Sequence, residues 1–173
     1  MFECEWFTFA SCPKTGCHWF TETMTEAGVC VPHQGMHTIG FIEGKPSITI
    51  VREPALWLRS YFYSVTGLLE MPVIDELSKL RMPGAQMIDE SFVSFSERYI
   101  DKMSGTIRRI FDYWSAEYTL RTEHLGTDTY RLMKRLDVPC DLELIVNSEP
   151  RNVRSRNRPL ISDDLRAAIN EAA

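Results

Sequence analysis

Two segments of this chain run from an apolar strand through a tight turn into an amphipathic helix, and that repeated order constrains the fold more than any other feature. Trp6-Phe7-Thr8-Phe9-Ala10 is almost continuously apolar, as suits a central parallel strand covered on both faces. Ser11-Cys12-Pro13-Lys14-Thr15-Gly16 follows as a small turn, and Cys17, Phe20, Met24 and Ala27 then recur at steps of 3, 4 and 3, which makes one apolar helical face. Gly28 is a natural helix stop. The second unit opens with Ser47-Ile48-Thr49-Ile50-Val51, rich in β-branched residues. Pro54 suits the first turn of its helix, and Ala55, Leu58, Phe62 and Val65 repeat the 3, 4, 3 spacing.

Further along, Phe92, Phe95 and Tyr99 predict one helix, and Ile107, Ile110, Phe111 and Trp114 a second. Tyr118-Thr119-Leu120-Arg121-Thr122 reads as a third strand, residues 127–136 as a helix, and Ser162 as the cap of a last helix with Asp163 and Asp164 in its first turn, where the helix dipole favours anions. Residues 67–90, broken by Gly67, Pro72, Pro83 and Gly84, are the expected lid or substrate loop. Strands alternating with helices imply an α/β fold, with a central parallel sheet in a three-layer α/β/α arrangement. No boundary divides residues 1–173, so a single domain is expected.

Composition narrows the function. The formal net charge is −5, which disfavours a bulk polyanion binder such as a nucleic-acid protein. No apolar run approaches the ~18 residues of a membrane span. The acidic opening Met1-Phe2-Glu3-Cys4-Glu5 lacks the basic flank of an export signal, and a cytoplasmic protein is expected. The five cysteines, Cys4, Cys12, Cys17, Cys30 and Cys140, are odd in number and irregularly spaced, against a disulfide framework. Cys30, His33 and His37 with Cys12 and Cys17 lack the tight paired spacing of a zinc site, so no metal is expected. Residues 151–158 read Arg-Asn-Val-Arg-Ser-Arg-Asn-Arg, which fits a solvated loop, a small nucleic-acid patch or a clamp for a compact phosphate.

In open α/β sheets ligands bind beyond the carboxyl ends of the strands. Both strong strands end in residues suited to anions. Pro13-Lys14-Thr15-Gly16 opens a helix, whose first N–H groups carry partial positive charge. Lys14 adds a point charge, Thr15 a hydroxyl, and Gly16 lets backbone approach closely. The loop is not a Walker A motif, because Lys14 precedes the only loop glycine, and this disfavours an ordinary nucleotide kinase.

Pro13-Lys14-Thr15-Gly16-Cys17-His18-Trp19 resembles the 5′-phosphosulfate loop, P-K-[ST]-G-T-T-W, of the sulfotransferases that use 3′-phosphoadenosine 5′-phosphosulfate (PAPS). Cys17 and His18 replace the two threonines. The family follows its next strand with R-x-P and a serine eight residues after the arginine. Here Arg52-Glu53-Pro54 is followed by Ser60 at that spacing. Weaker similarity continues downstream. Leu120-Arg121-Thr122-Glu123-His124-Leu125 is similar to a strand ending in Tyr-Glu-Asp-Leu, with Thr122 and His124 departing from it. Leu136-Asp137-Val138-Pro139 is similar to a helix closing with Phe-Leu-Gly-Leu-Pro. The likeness covers roughly residues 6–172, with two sharp motifs.

The resemblance implies the P-loop-like sulfotransferase topology and transfer of a sulfuryl group from PAPS to a hydroxyl or amine of a small-molecule, carbohydrate or peptide acceptor, without a metal. The product nucleotide would be 3′,5′-diphosphoadenosine (PAP). Pro13, Lys14, Thr15, Gly16, Cys17 and His18 would hold the 5′-phosphosulfate, with Trp19 near the adenine or in the core. Arg52 and Ser60 would hold the 3′-phosphate, helped by Arg154 or Arg156. Lys14 is also the implied stabiliser of the leaving phosphate. The general base is expected after the first helix, at His33, then His37, then Glu43, since an imidazole pKa of ~6.5 suits a base at neutral pH. The alternatives are a nucleotide-binding protein of this fold without turnover and a phosphoryl-transfer enzyme.

Overall fold

The computed structural model describes residues 2–29, 42–65, 91–148 and 160–173. The irregular segment 67–90, Cys30, His33, His37, Arg154 and Arg156 lie outside these residues. In chain order the elements are β1 (Phe2–Glu3), β2 (Thr8–Ala10), α1 (Cys17–Glu26), β3 (Ser47–Val51), α2 (Pro54–Val65), α3 (Phe92–Lys102), α4 (Thr106–Tyr113), β4 (Tyr118–Arg121), a 3-10 turn (Thr122–His124), α5 (Leu125–Arg135), α6 (Leu142–Asn147) and α7 (Asp163–Ala172). The fold is α/β. Its backbone contacts gather into two compact units, one formed by residues 1–52 and 114–157, the other by 53–113 and 158–173. Among the described residues no helix is long and apolar enough to cross a membrane.

The first unit holds the sheet, in the order β1-β2-β3-β4. β2, β3 and β4 are parallel, with Phe9 opposite Ile48 and Thr49 opposite Thr119. β1 departs from the expected all-parallel sheet: it pairs antiparallel with β2, Phe2 opposite Phe9. A two-residue strand carries no periodicity for sequence reasoning to detect. Thr8, Phe9 and Ala10 are all fully buried, as continuous hydrophobicity requires of a strand covered on both faces. Phe20 of α1 lies 4.5 Å from Phe9 and 6.0 Å from Phe7, ring centre to ring centre. Around them Met24, Ile48, Ile50, Met133 and Ile145 complete a core in which α1, α5 and α6 take part.

Two helices of this unit end alike. Gly28 donates to the Thr25 carbonyl and Val29 to the Met24 carbonyl, with Gly28 at φ 77°. After α5, Asp137 donates to Lys134 and Val138 to Met133, with Asp137 at φ 52°. Both are Schellman closures, which need a left-handed residue one place past the cap. The second uses aspartate where glycine is usual. α6 was not foreseen, although its cap is legible: Asp141 accepts from the Leu144 N–H at 2.9 Å, as an N-cap aspartate does.

The second unit is helical. α2 starts at Pro54 as expected and buries Ala55, Trp57, Leu58, Tyr61 and Phe62. Trp57 stacks on Tyr61 at 5.4 Å and meets Phe111 edge-on at 6.2 Å, while Phe62 contacts Phe95 at 5.2 Å. The start of α2 is closed by α7. Asn170 Oδ1 accepts from the Ala55 N–H at 3.0 Å, Asn170 Nδ2 donates to Glu53 at 2.9 Å, and Arg166 forms a two-pronged ion pair with the same carboxylate. The α7 cap is the predicted one, with Ser162 Oγ accepting from the Leu165 N–H.

Candidate functional site

Residues 11–16 join the carboxyl end of β2 to α1, and two of them are left-handed. Lys14 has φ 67° and Gly16 φ 95°, whereas Thr15 between them keeps a negative φ. Turns with left-handed residues of this kind are where successive main-chain N–H groups can form a concave anion-binding nest. A side chain at φ 67° is unusual for lysine, because the left-handed region sets Cβ against the carbonyl. The chain therefore sustains strain at the loop's one basic residue.

Gly16 is the N-cap of α1 and supplies no side chain to close it. The first bond of the helix runs from the Phe20 N–H to the Gly16 carbonyl at 3.1 Å, so Cys17, His18 and Trp19 carry the N–H groups without an intrahelical acceptor. A Cβ placed on Gly16 would meet Leu125 Cδ2 at 3.0 Å. The φ of 95° favours glycine, and any side chain there would also have to push Leu125 back by a few tenths of an ångström.

The carboxyl ends of β3 and β4 hold the loop. Arg52, just past β3, donates from Nη1 to the Lys14 carbonyl at 3.3 Å. Thr122, just past β4, shares its hydroxyl between the Thr15 carbonyl and the Val51 carbonyl, the latter at 3.0 Å. Thr49 donates to the Ala10 carbonyl at 3.2 Å. Three parallel strands thus deliver Lys14, Arg52 and Thr122 to one end of the sheet, where open α/β folds place ligands.

The side chains predicted around the loop are placed unequally. Lys14 is half-buried and His18 exposed, whereas Pro13, Thr15, Cys17 and Trp19 are buried. The Thr15 hydroxyl turns inward and donates to the Cys12 carbonyl at 2.7 Å. Trp19 is 4% exposed and belongs to the core of the first unit. Burial pushes the Cys17 thiol up, against the pull of the Ser11 hydroxyl, the amides of Cys17 and His18 and the charge of Lys14. Burial also raises Cys12, with the neighbouring Cys17 adding to it. Both are held as neutral thiols, so Cys17 offers an anion its main-chain N–H. Ser60 is half-buried on α2 of the second unit, and Glu43 is exposed before β3.

Thr122 is a site residue that the sequence does not signal. Its position appeared only as a departure from a motif, and nothing local signals a hydroxyl that reaches a carbonyl 107 positions away. Among the described residues no group of three His, Cys, Asp or Glu side chains is placed to hold a metal ion. Comparison of the chain with protein-family models, with curated proteins and with solved structures finds no match.

Proposed function

We propose that the protein is a PAPS-dependent sulfotransferase, with the loop Pro13–Gly16 as its 5′-phosphosulfate site and a three-layer sheet architecture of the P-loop-like type. The observation that carries the reading is the pair of left-handed residues, Lys14 and Gly16, on either side of Thr15, lying at the open start of α1 with Arg52 bound to the Lys14 carbonyl. A nest, a helix start and two cations favour a compact multiply charged anion. Asp137 adds support. It takes a left-handed conformation at the position where the family's closing motif carries glycine.

The donor set fits such a nucleotide: Lys14 and the N–H groups of Cys17, His18 and Trp19 would hold the 5′-phosphosulfate, and Arg52 the 3′-phosphate. Bound there, PAPS supplies an activated sulfuryl group. Lys14 then opposes the negative charge that grows on the leaving oxygen, and His33, or failing it His37, takes the acceptor's proton. A nucleotide-binding protein without turnover is the second reading. It is favoured by the Thr15 hydroxyl, which is spent on the Cys12 carbonyl, and by Cys17 in place of a hydroxyl residue. Calorimetry with PAP, 5′-AMP and ATP–Mg²⁺, followed by turnover with labelled donor and a panel of acceptors, tests both. Tighter binding of PAP than of 5′-AMP with transfer supports the enzyme, and PAP binding without transfer supports the second reading. Preference for ATP–Mg²⁺ would sink both.

A further inference from the structure

Among the described residues, the outer edge of β4 carries open backbone groups, and the groove beside it holds two arginines of α5 without a carboxylate partner. The Thr8 N–H donates to the Pro46 carbonyl at 2.9 Å, which sets the phase of β3: residues 46, 48 and 50 bond toward β2, and 47, 49 and 51 toward β4. In the observed register, with Thr49 opposite Thr119, Tyr118 and Leu120 then bond to β3, and Thr119 and Arg121 turn their main-chain groups outward. The Arg121 N–H confirms this phase independently, because it donates to Asp128 Oδ2 at 3.2 Å instead of to the sheet. Thr119 is exposed, and among the described residues its outward N–H and C=O meet no partner.

That edge forms one wall of an open groove of about 380 Å³, whose other wall is α5. Arg131 and Arg135 project into it one helical turn apart, both exposed. Among the described residues neither pairs with a carboxylate. Arg135 lies over the Tyr118 ring at 5.4 Å, which steadies it along the strand. The groove's one acid, Asp128, is engaged by Arg121. An open strand edge is a template for another strand, and a row of arginines beside it selects acidic side chains.

We infer that this edge binds an extended acidic peptide segment of a partner protein by strand addition, with its main chain on Thr119 and its carboxylates on Arg131 and Arg135. The surface is independent of the proposed nucleotide site. The test uses the full chain and a fluorescein-labelled octapeptide of alternating Glu and Val, followed by anisotropy at low and high salt. Saturable, salt-weakened binding is expected. The double change Arg131→Glu, Arg135→Glu should weaken it by at least about tenfold, as loss of charge-assisted bonds does. The same peptide N-methylated at alternate residues should not bind the unaltered protein, a result that does not depend on any variant folding. No binding, equal binding of the N-methylated peptide, or equal binding of a Lys–Val peptide would each overturn the proposal. So would a sulfated oligosaccharide that binds more tightly than the peptide and loses affinity through the same two substitutions.

Discussion

The guanidinium of Arg52 is bonded to the main-chain carbonyl of Lys14, so the cation that ends one strand supports the loop that ends its neighbour. Arg52→Ala should lower affinity for PAP by about 10- to 150-fold, the span for losing one charge-assisted hydrogen bond. It should lower affinity for 5′-AMP much less. Calorimetry with both nucleotides checks this. Equal losses would mean that Arg52 acts by shaping the loop and not on the 3′-phosphate.

Lys14 combines strain with charge, and two substitutions separate these. Lys14→Ala and Lys14→Gly both remove the ammonium, and both should slow turnover by about 10²–10³-fold if it stabilises the leaving oxygen. Only glycine relieves the left-handed backbone at φ 67°. Lys14→Gly should therefore be more stable than Lys14→Ala by about 1 kcal/mol. Urea denaturation of the pair reads the difference, and equal midpoints would deny the strain.

Asp137 closes α5 at φ 52° with a side chain where glycine would fit without penalty. Asp137→Gly should stabilise the protein by about 1 kcal/mol, less the small entropic cost of a more flexible unfolded chain. A raised thermal midpoint is expected, and a lowered one would show that the carboxylate does more than occupy the turn.

The pH dependence at Asp128 has a definite sign. Its carboxyl is held below the ordinary value of 3.8, first by the hydrogen bond from Arg121, with the Arg121 amide and charge assisting. A depressed folded-state pKa contributes stability above the unfolded value, and that contribution is lost as pH falls through the folded one. Arg121 is 55% exposed, so solvent screens the pair and the contribution is small. Asp128→Asn should be less stable than the unaltered chain at pH 7, and the two should converge below about pH 4. A gap that persists at pH 2 would assign the effect to packing.

If His33 accepts the acceptor's proton, turnover should rise with pH through about 6–7 and then level, because only neutral imidazole takes a proton. His33→Ala should remove that limb and leave PAP affinity almost unchanged. A limb lost in His37→Ala alone would move the role there.

Much of this fold can be read in the chain because its signals are local. The β-branched run at 47–51 is β3 to the residue, and the 3, 4, 3 spacing of Cys17, Phe20, Met24 and Ala27 lies on buried positions. The expected strand at 6–10 contracts to 8–10, since the hydrophobic run outlasts the pairing with β3. The nest could be suspected from Pro13-Lys14-Thr15-Gly16, but the left-handed turn fell on Lys14 as well as on the glycine. Contacts such as Thr122 to Thr15 depend on where two strands end relative to each other, which no short window of sequence records.

The bond between Ala55 and Asn170 spans 115 positions, and this places a condition on synthesis. On a ribosome adding roughly 5–20 residues per second, α2 emerges roughly 6 to 23 s before the side chain that closes its first turn. Throughout that interval the Ala55 N–H relies on water. β1 to β3 and α1 of the sheet unit precede Ala55, and β4, α5 and α6 follow within the interval, so that unit can finish condensing while the helical unit still awaits α7. A released fragment ending at Asn147 should thus hold a protease-resistant sheet unit and a helical unit that is still readily cut.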